Sequence, residues 1–402
     1  MDTPALQNLL LQLAQAAQRG LLALLDALGL APPVHGQPAW PLPWRVAVEN
    51  LLIDGGLARE LALWLLLAGT ALAFALLALA WQRRRWPLLA GAAALLALAP
   101  WPPAALLFTP AVPTSFHRSP TGFEAAGIQR GLALYQAQCA ACHGADGRGE
   151  GPLAASLPRW PPTLSAGLLW KRAEGELLWR VQQGLHDAQG RPTMPGFADR
   201  LSTDDTWAVL DAMKVLAAGD SARRQAAWPW PVAAPRLAVE CADAPGPRPL
   251  SHWRGQRLRL VLAGGPLPQP IEDPRFVTVV LGAEAPPDDG VAAARQAGAD
   301  CSVRSDAARA AYAQLAGQAW PSPVAGRDPA AGLQFLIDRD GWLRAVSRPG
   351  APGWSADDLL CRAEPGAGNA TTAPARDGLD ALIARMDAEP VQVARLGLPH
   401  AR

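Results

Sequence analysis

Cys139-Ala-Ala-Cys142-His143, set between Tyr135-Gln-Ala-Gln138 and Gly144-Ala-Asp-Gly-Arg-Gly-Glu-Gly-Pro152, decides how this chain is read. Two thiols three positions apart share one turn of helix, and an imidazole follows at once. That order suits thioether attachment of a haem and ligation of its iron. A redox dithiol would want a preceding strand and no ligating histidine, and half a zinc site would want two more ligands at finger spacing. Neither requirement is met. Upstream, Ile128, Leu132, Leu134 and Tyr135 fall at helical spacing with Gly131 among them, so a helix leads into the motif. Downstream, the glycine-rich run predicts a tight loop able to wrap a flat cofactor edge.

Pro192-Thr-Met194-Pro195-Gly196-Phe197 holds a methionine in an extended loop between prolines. A soft thioether there suits the sixth position of the iron, although core filler is the ordinary role of a methionine. His186, in Gly184-Leu-His186-Asp-Ala-Gln-Gly190, competes for that position and reads better as a solvated turn. A closing helix is expected after Ser202 or Thr203, with Trp207, Leu210, Met213 and Leu216 on one stripe and Trp207 packing on the Gly131/Tyr135 helix. The segment from about Ile128 to Ala218 resembles a class I, single-haem c-type cytochrome domain, under a quarter of the chain. The resemblance implies an all-α domain over 122–220 with one covalent haem c: Cys139 and Cys142 as thioether attachments, His143 as proximal ligand and Met194 as distal ligand. Iron closed on both faces carries electrons between redox partner proteins, so no catalytic residue and no small-molecule substrate is expected. The lead-in Pro113-Thr-Ser-Phe116 and Ser119-Pro120-Thr-Gly122-Phe123 is similar to cytochrome modules attached to membrane proteins, some fused to copper-resistance D-type domains. The membrane part here is much shorter than such a domain.

Half of the 402 residues are hydrophobic and 18% are charged, richer in apolar residues than an ordinary soluble chain. Leu61 to Trp81 is free of charge, about 31 Å as a helix, and predicts a membrane span. Gln82-Arg83-Arg84-Arg85 follows, then a second uncharged run from Trp86 to Phe108. Pro100, Pro102 and Pro103 should end its helix near Ala99. Region 57–110 is therefore read as an anchor of two spans, about 61–81 and 86–108, with the arginine turn in the cytoplasm. The haem and C-terminal domains then lie on the periplasmic side of a bacterial inner membrane, where the resemblance implies haem attachment. Residues 1–56 form a leucine-faced amphipathic region interrupted by Arg19 and Asp26, interfacial or a further crossing. His35, between Pro33 and Pro38, reads as a loop residue without partners for a copper site. A net charge of +1 gives no ground for a nucleic-acid partner.

Ala227-Trp-Pro-Trp-Pro-Val-Ala-Ala-Pro235 reads as a stiff linker within 221–236, and a second soluble domain follows over 237–362. Strands are expected at 237–241, 257–263 and 276–281, helices at 291–298 and 307–317, and a hairpin over 333–346 turning at Asp340-Gly341. With Pro249-Leu-Ser-His-Trp-Arg-Gly255 before a strand, this order resembles a thioredoxin-like domain of the peroxiredoxin and copper-chaperone kind. The family places its reactive cysteine where this chain has Ala263-Gly-Gly-Pro-Leu-Pro-Gln-Pro270, so a docking or structural role is implied. Of Cys241, Cys301 and Cys361, the pair Cys301–Cys361 is favoured for a disulfide; alternatively the three bind copper with His252. Region 363–402 is read as a tail with a short helix near 379–386.

The fold class expected is thus multidomain: an α-helical transmembrane anchor, an all-α cytochrome c domain and an α/β thioredoxin-like C-terminal domain. The function expected is electron transfer without catalysis. The alternatives are a copper-homeostasis or redox-sensing protein with a metal-binding C-terminal domain, and a subunit of a larger oxidoreductase.

Overall fold

The computed structural model describes residues 3–47, 55–101, 103–264, 271–284, 289–319, 328–347, 354, 358–361 and 378–391. The chain forms two compact units, one through His117 and one from Arg118 onward. The fold is mixed helix and sheet.

In the first unit, α1 (Thr3–Ala27) is followed by a hairpin of β1 (Pro33–Val34) and β2 (Gln37–Pro38), then β3 (Trp44–Val46). The long apolar α2 (Gly55–Ala80) leads through a turn at Gln82–Arg84 into α3 (Arg85–Leu98). Within α2, Arg59–Ala80 is long and apolar enough to cross a membrane, the only such helix among the described residues. In the second uncharged run the helix stops at Leu98, as its prolines predict. Helix α3 has 14 residues, about 21 Å, because Ala99 turns extended ahead of Pro100. The chain then runs through α4 (Ala104–Leu107) into β4 (Phe108–Pro110), which pairs antiparallel with β3. Leu107 packs, as does Leu61, against the buried pair formed by Leu57 near the start of α2 and Leu10 of α1. Gly91 of α3 would place a Cβ 3.2 Å from the Phe74 ring, so the two limbs touch closely.

In the second unit, α5 (Ala125–Gln138) carries the cysteine motif on its end in the short α6 (Ala140–His143). Helix α7 (Glu174–Gln183), the hairpin β5 (Leu185–His186)/β6 (Pro192–Met194) and α8 (Thr203–Gln225) follow. Ser202 caps α8 as expected: its hydroxyl accepts the Asp205 N–H, and the Asp205 carboxylate accepts the Ser202 N–H. Helices α5 and α8 meet at Gly131, where a Cβ would lie 1.9 Å from the Ala208 carbonyl oxygen, beside buried Trp207 and Tyr135.

The Trp-Pro segment is not a free tether. Trp228 is 1% exposed, lies 6.4 Å from the Phe335 ring and donates its indole N–H to Leu315 O. The Trp170 indole donates to Pro231 O, Leu343 N–H to Val232 O, and Arg236 N–H to Phe123 O. One buried cluster runs from Ile128 and Trp207 through Trp228 to Leu260 and Phe335.

The sheet beyond it contains β7 (Ala238–Cys241), β8 (Ala244–Pro249), β9 (Leu258–Leu262), β10 (Val277–Gly282), β11 (Cys301–Arg304), β12 (Gln334–Ile337) and β13 (Leu343–Ser347). Their order is β13-β12-β9-β10-β11-β7-β8, with β9, β10 and β11 parallel and β12 antiparallel to β9. Helices α9 (Asp289–Gln296) and α10 (Asp306–Leu315) fall where expected. Gly219 of α8 would set a Cβ 2.1 Å from the Gln314 carbonyl oxygen, so α8 and α10 are in backbone contact. The disulfide joins Cys241 and Cys301, correcting the Cys301–Cys361 expectation, because antiparallel β7 and β11 bring those two residues into register. Cys361 is buried and reduced. Helix α11 (Gly378–Ala388) is docked, with Leu382 and Met386 buried against Phe276, Leu336 and Leu359. Residues 265–270, which include most of the loop lacking the reactive cysteine, and residues 363–377 and 392–402 of the tail lie outside the described residues.

Candidate functional site

Helix α5 delivers the motif by simple continuation. Cys139 N–H bonds Tyr135 O at 2.8 Å and His143 N–H bonds Cys139 O at 2.9 Å, so Cys139, Cys142 and His143 occupy one turn. The Tyr135 hydroxyl donates to Gly144 O at 2.9 Å and fixes where that turn ends. The glycine-rich loop then folds back on the motif's own carbonyls. Gly149 N–H bonds His143 O at 2.7 Å, Gly151 N–H bonds Cys142 O at 3.2 Å and Leu153 N–H bonds Ala141 O at 2.9 Å. A Cβ on Gly151 would lie 2.4 Å from Ala141 O, so only glycine lets the loop close this tightly.

Both thiols are reduced and half-buried. Burial and the neighbouring Cys142 push the Cys139 thiol up to about 11, keeping it protonated at neutral pH. Burial pulls His143 below its ordinary value, and its Nδ1 is enclosed without a hydrogen-bond partner. The ring is therefore neutral, the form that ligates metal.

Met194 lies opposite Leu185 in the β5/β6 hairpin. The hairpin is clamped to the end of α7: Phe197 N–H bonds Val181 O, and a Cβ on Gly184 would lie 2.5 Å from Met194 O. Met194 and Cys139 are both half-buried against the same apolar cluster. His186 is exposed and lies in β5, where the sequence suggested a turn, paired with Pro192.

Within the second unit, the large apolar side chains exposed among the described residues are Leu153, Trp160 and Leu185, at 50%, 57% and 39%. All three border the site: Leu153 through Ala141, Leu185 through Met194, and Trp160 beside Pro161, whose carbonyl abuts Gly149. Free thiols, a neutral imidazole, a thioether and an uncovered apolar rim fit a flat, largely apolar haem with iron at its centre.

Sequence reading missed a buried ionic cluster. Lys214 pairs with Glu174 and lies 3.9 Å from Asp211, which accepts a hydrogen bond from the Thr121 hydroxyl. All three charged residues are at most 7% exposed. Burial lifts Asp211 to about 6, against the pull of Lys214 and Thr121. Lys214 stays above its ordinary value because Glu174 and Asp211 outweigh its burial. An Asp and a Lys at i, i+3 on a helix whose other residues are mostly apolar was the available signal.

The alternative copper site is not assembled. Two of its thiols form the disulfide, His252 is exposed against Trp253, and no cluster of three metal-binding side chains exists among the described residues. His35 has gained a neighbour: buried His117 feels its charge, and burial and that charge together hold His117 below its ordinary value.

Residues 126–211 match the family model described as cytochrome C oxidase, cbb3-type, subunit III. A comparison with curated proteins gives no match. Among solved structures, a chain of the Kuenenia stuttgartiensis reducing HAO-like protein complex Kustc0457/Kustc0458 is 25% identical, with a TM-score of 0.22. That similarity covers 31% of this chain and 59% of the other. The family match supports a c-type cytochrome over 126–211, and a cytochrome c domain implies covalent haem and electron transfer.

Proposed function

We propose that this chain is a membrane-anchored c-type cytochrome that carries electrons through a single covalent haem on the periplasmic side of a bacterial inner membrane. Cys139 and Cys142 hold the haem as thioethers, His143 ligates from the proximal side and Met194 from the distal side. The haem, when bound, supplies a one-electron Fe(III)/Fe(II) couple. The chain's own residues fix and shield it: α6 sets the spacing of the two sulfurs, burial keeps His143 neutral, and the Gly184–Phe197 segment holds Met194. Leu153, Trp160 and Leu185 form an apolar rim that keeps water from the group. That rim, together with the one-turn motif, is the observation that carries the reading.

Arg59–Ala80 supports the anchor, and the return of Leu107 to the level of Leu57 supports a hairpin with both ends on one side. The C-terminal sheet is read as a degenerate thioredoxin-like domain. The local order β10-β9-β12-β13, with its parallel and antiparallel pairs, supports this, and the only described thiol there outside the disulfide is buried Cys361.

A pyridine haemochrome spectrum on acid-acetone-extracted protein, matured in a host competent for haem attachment, tests the proposal. Pigment that stays with the polypeptide and gives a c-type band supports it; colourless protein, or pigment lost to the solvent, defeats it. The description of the matching family favours a second reading, an electron-transfer subunit of a larger oxidoreductase. Co-purification of a stoichiometric companion from membranes distinguishes the two.

A further inference from the structure

The turn between α2 and α3 carries Arg83, Arg84 and Arg85 in succession, all exposed, with no buried residue in the turn. No acidic residue occurs between Glu60 and Glu124. Glu60 lies at the opposite end of α2, about 30 Å along the helix from the arginines. The rest of the unit gathers at that far end: Leu10 of α1 packs near Leu57, Gln18 accepts the Val46 N–H at 2.7 Å, and β3 pairs with β4. None of the three guanidiniums has an ion pair among the described residues.

Two of them are nonetheless placed. Arg84 lies 5.6 Å from the Trp81 ring centre and Arg85 lies 5.1 Å from that of Trp86. Trp81 and Trp86 are themselves 50% and 70% exposed, one on each side of the turn. Indole rings of this kind settle at headgroup depth, and arginine matches phosphate with a planar fork of donors.

We propose that Arg83, Arg84 and Arg85, framed by Trp81 and Trp86, form a binding site for the phosphate of anionic phospholipid headgroups. The site rests on the reading that α2 crosses a membrane. Its chemistry is bidentate guanidinium–phosphate pairing at a turn whose own chain supplies no counter-charge. The fixed indoles favour a lipid over a free ion, since acyl chains lie along the apolar faces of α2 and α3 while the phosphate meets the arginines. Each guanidinium near an anionic surface contributes about fivefold to partitioning, and the three together about a hundredfold.

The full-length protein is placed in nanodiscs of phosphatidylcholine alone or mixed equally with phosphatidylglycerol, and the lipid retained after release is counted by native mass spectrometry. Phosphatidylglycerol is expected to be retained in preference to phosphatidylcholine. The preference should be lost in Arg83→Gln/Arg84→Gln/Arg85→Gln and only partly kept in the charge-preserving Arg83→Lys/Arg84→Lys/Arg85→Lys, whose ammonium groups attract phosphate but cannot pair with it bidentately. Equal retention of both lipids by the wild type, or an unchanged preference in the glutamine variant, overturns the proposal. Displacement of the lipid by inorganic phosphate alone would show an ion site and overturn it too. Release of the wild type from membranes by alkaline carbonate would instead defeat the spanning reading beneath it.

Discussion

Replacing Gly131 by alanine sets a helix preference against a packing limit. The added Cβ would sit 1.9 Å from the Ala208 carbonyl oxygen and 2.4 Å from its carbonyl carbon. Ordinary contact begins at 3.4 Å, so α5 and α8 must part by about 1.5 Å, the difference of those distances. The obstacle is backbone inside a helix, which cannot swing aside as a side chain does. Overpacking costs about 1–3 kcal/mol, and here the upper part of that range applies because the whole helix pair must move. Alanine's better helix propensity returns about 1 kcal/mol, leaving a net loss of about 2 kcal/mol. Gly127, one turn earlier on the same helix, has nothing within 4 Å of its Cβ position. Gly127→Ala should therefore stabilise by up to about 1 kcal/mol. Guanidinium titration of the full-length protein in detergent, followed by tryptophan emission from buried Trp170, Trp207 and Trp228, reads both. The two midpoints should move in opposite directions. A Gly131→Ala protein as stable as the wild type would refute the packing argument.

Lys214→Met should destabilise by about 3–5 kcal/mol, because it removes the cation that balances the buried Glu174 carboxylate, and adding Glu174→Leu should recover part of that loss in a thermal melt. Asp211 has its folded-state value raised from 3.8 to about 6, so both states hold the proton below about pH 4 and stability falls as pH rises from about 4 to about 6. Asp211→Asn should erase that segment of the stability profile; a wild-type-minus-variant difference that stays flat from about pH 4 to about pH 6 would contradict it. Met194→Ala should abolish the sulfur-to-iron charge-transfer band at the red end of the oxidised spectrum while leaving the pyridine haemochrome unchanged.

What could be read from the sequence was local. The Cys139–His143 turn, the Ser202 cap and the helix through Ile128 and Tyr135 are set by neighbours within a few residues, and all stand in the structure as the spacing required. The helix break at Ala99 follows from Pro100 alone. The disulfide could not be read this way, since Cys241 meets Cys301 only because β7, sixty residues earlier, adds to the edge of β11. Lys214 and Asp211 look like ordinary surface charge until Glu174 and Thr121 arrive from elsewhere in the chain. The Trp-Pro run misled for a related reason: its composition suits a spacer, and only the distant partners Leu315, Phe335 and Leu360 reveal it as core.

The backbone contact of Gly219 with Gln314, and the indole of Trp228 lying over Phe335, have a mechanical consequence. With α8 and α10 meeting through main chain, the seven-stranded sheet and the helices of the cysteine motif are expected to turn as one body in place of two hung on a tether. Truncating the chain after Gln225 would then uncover apolar surface on α8 that the sheet side now covers.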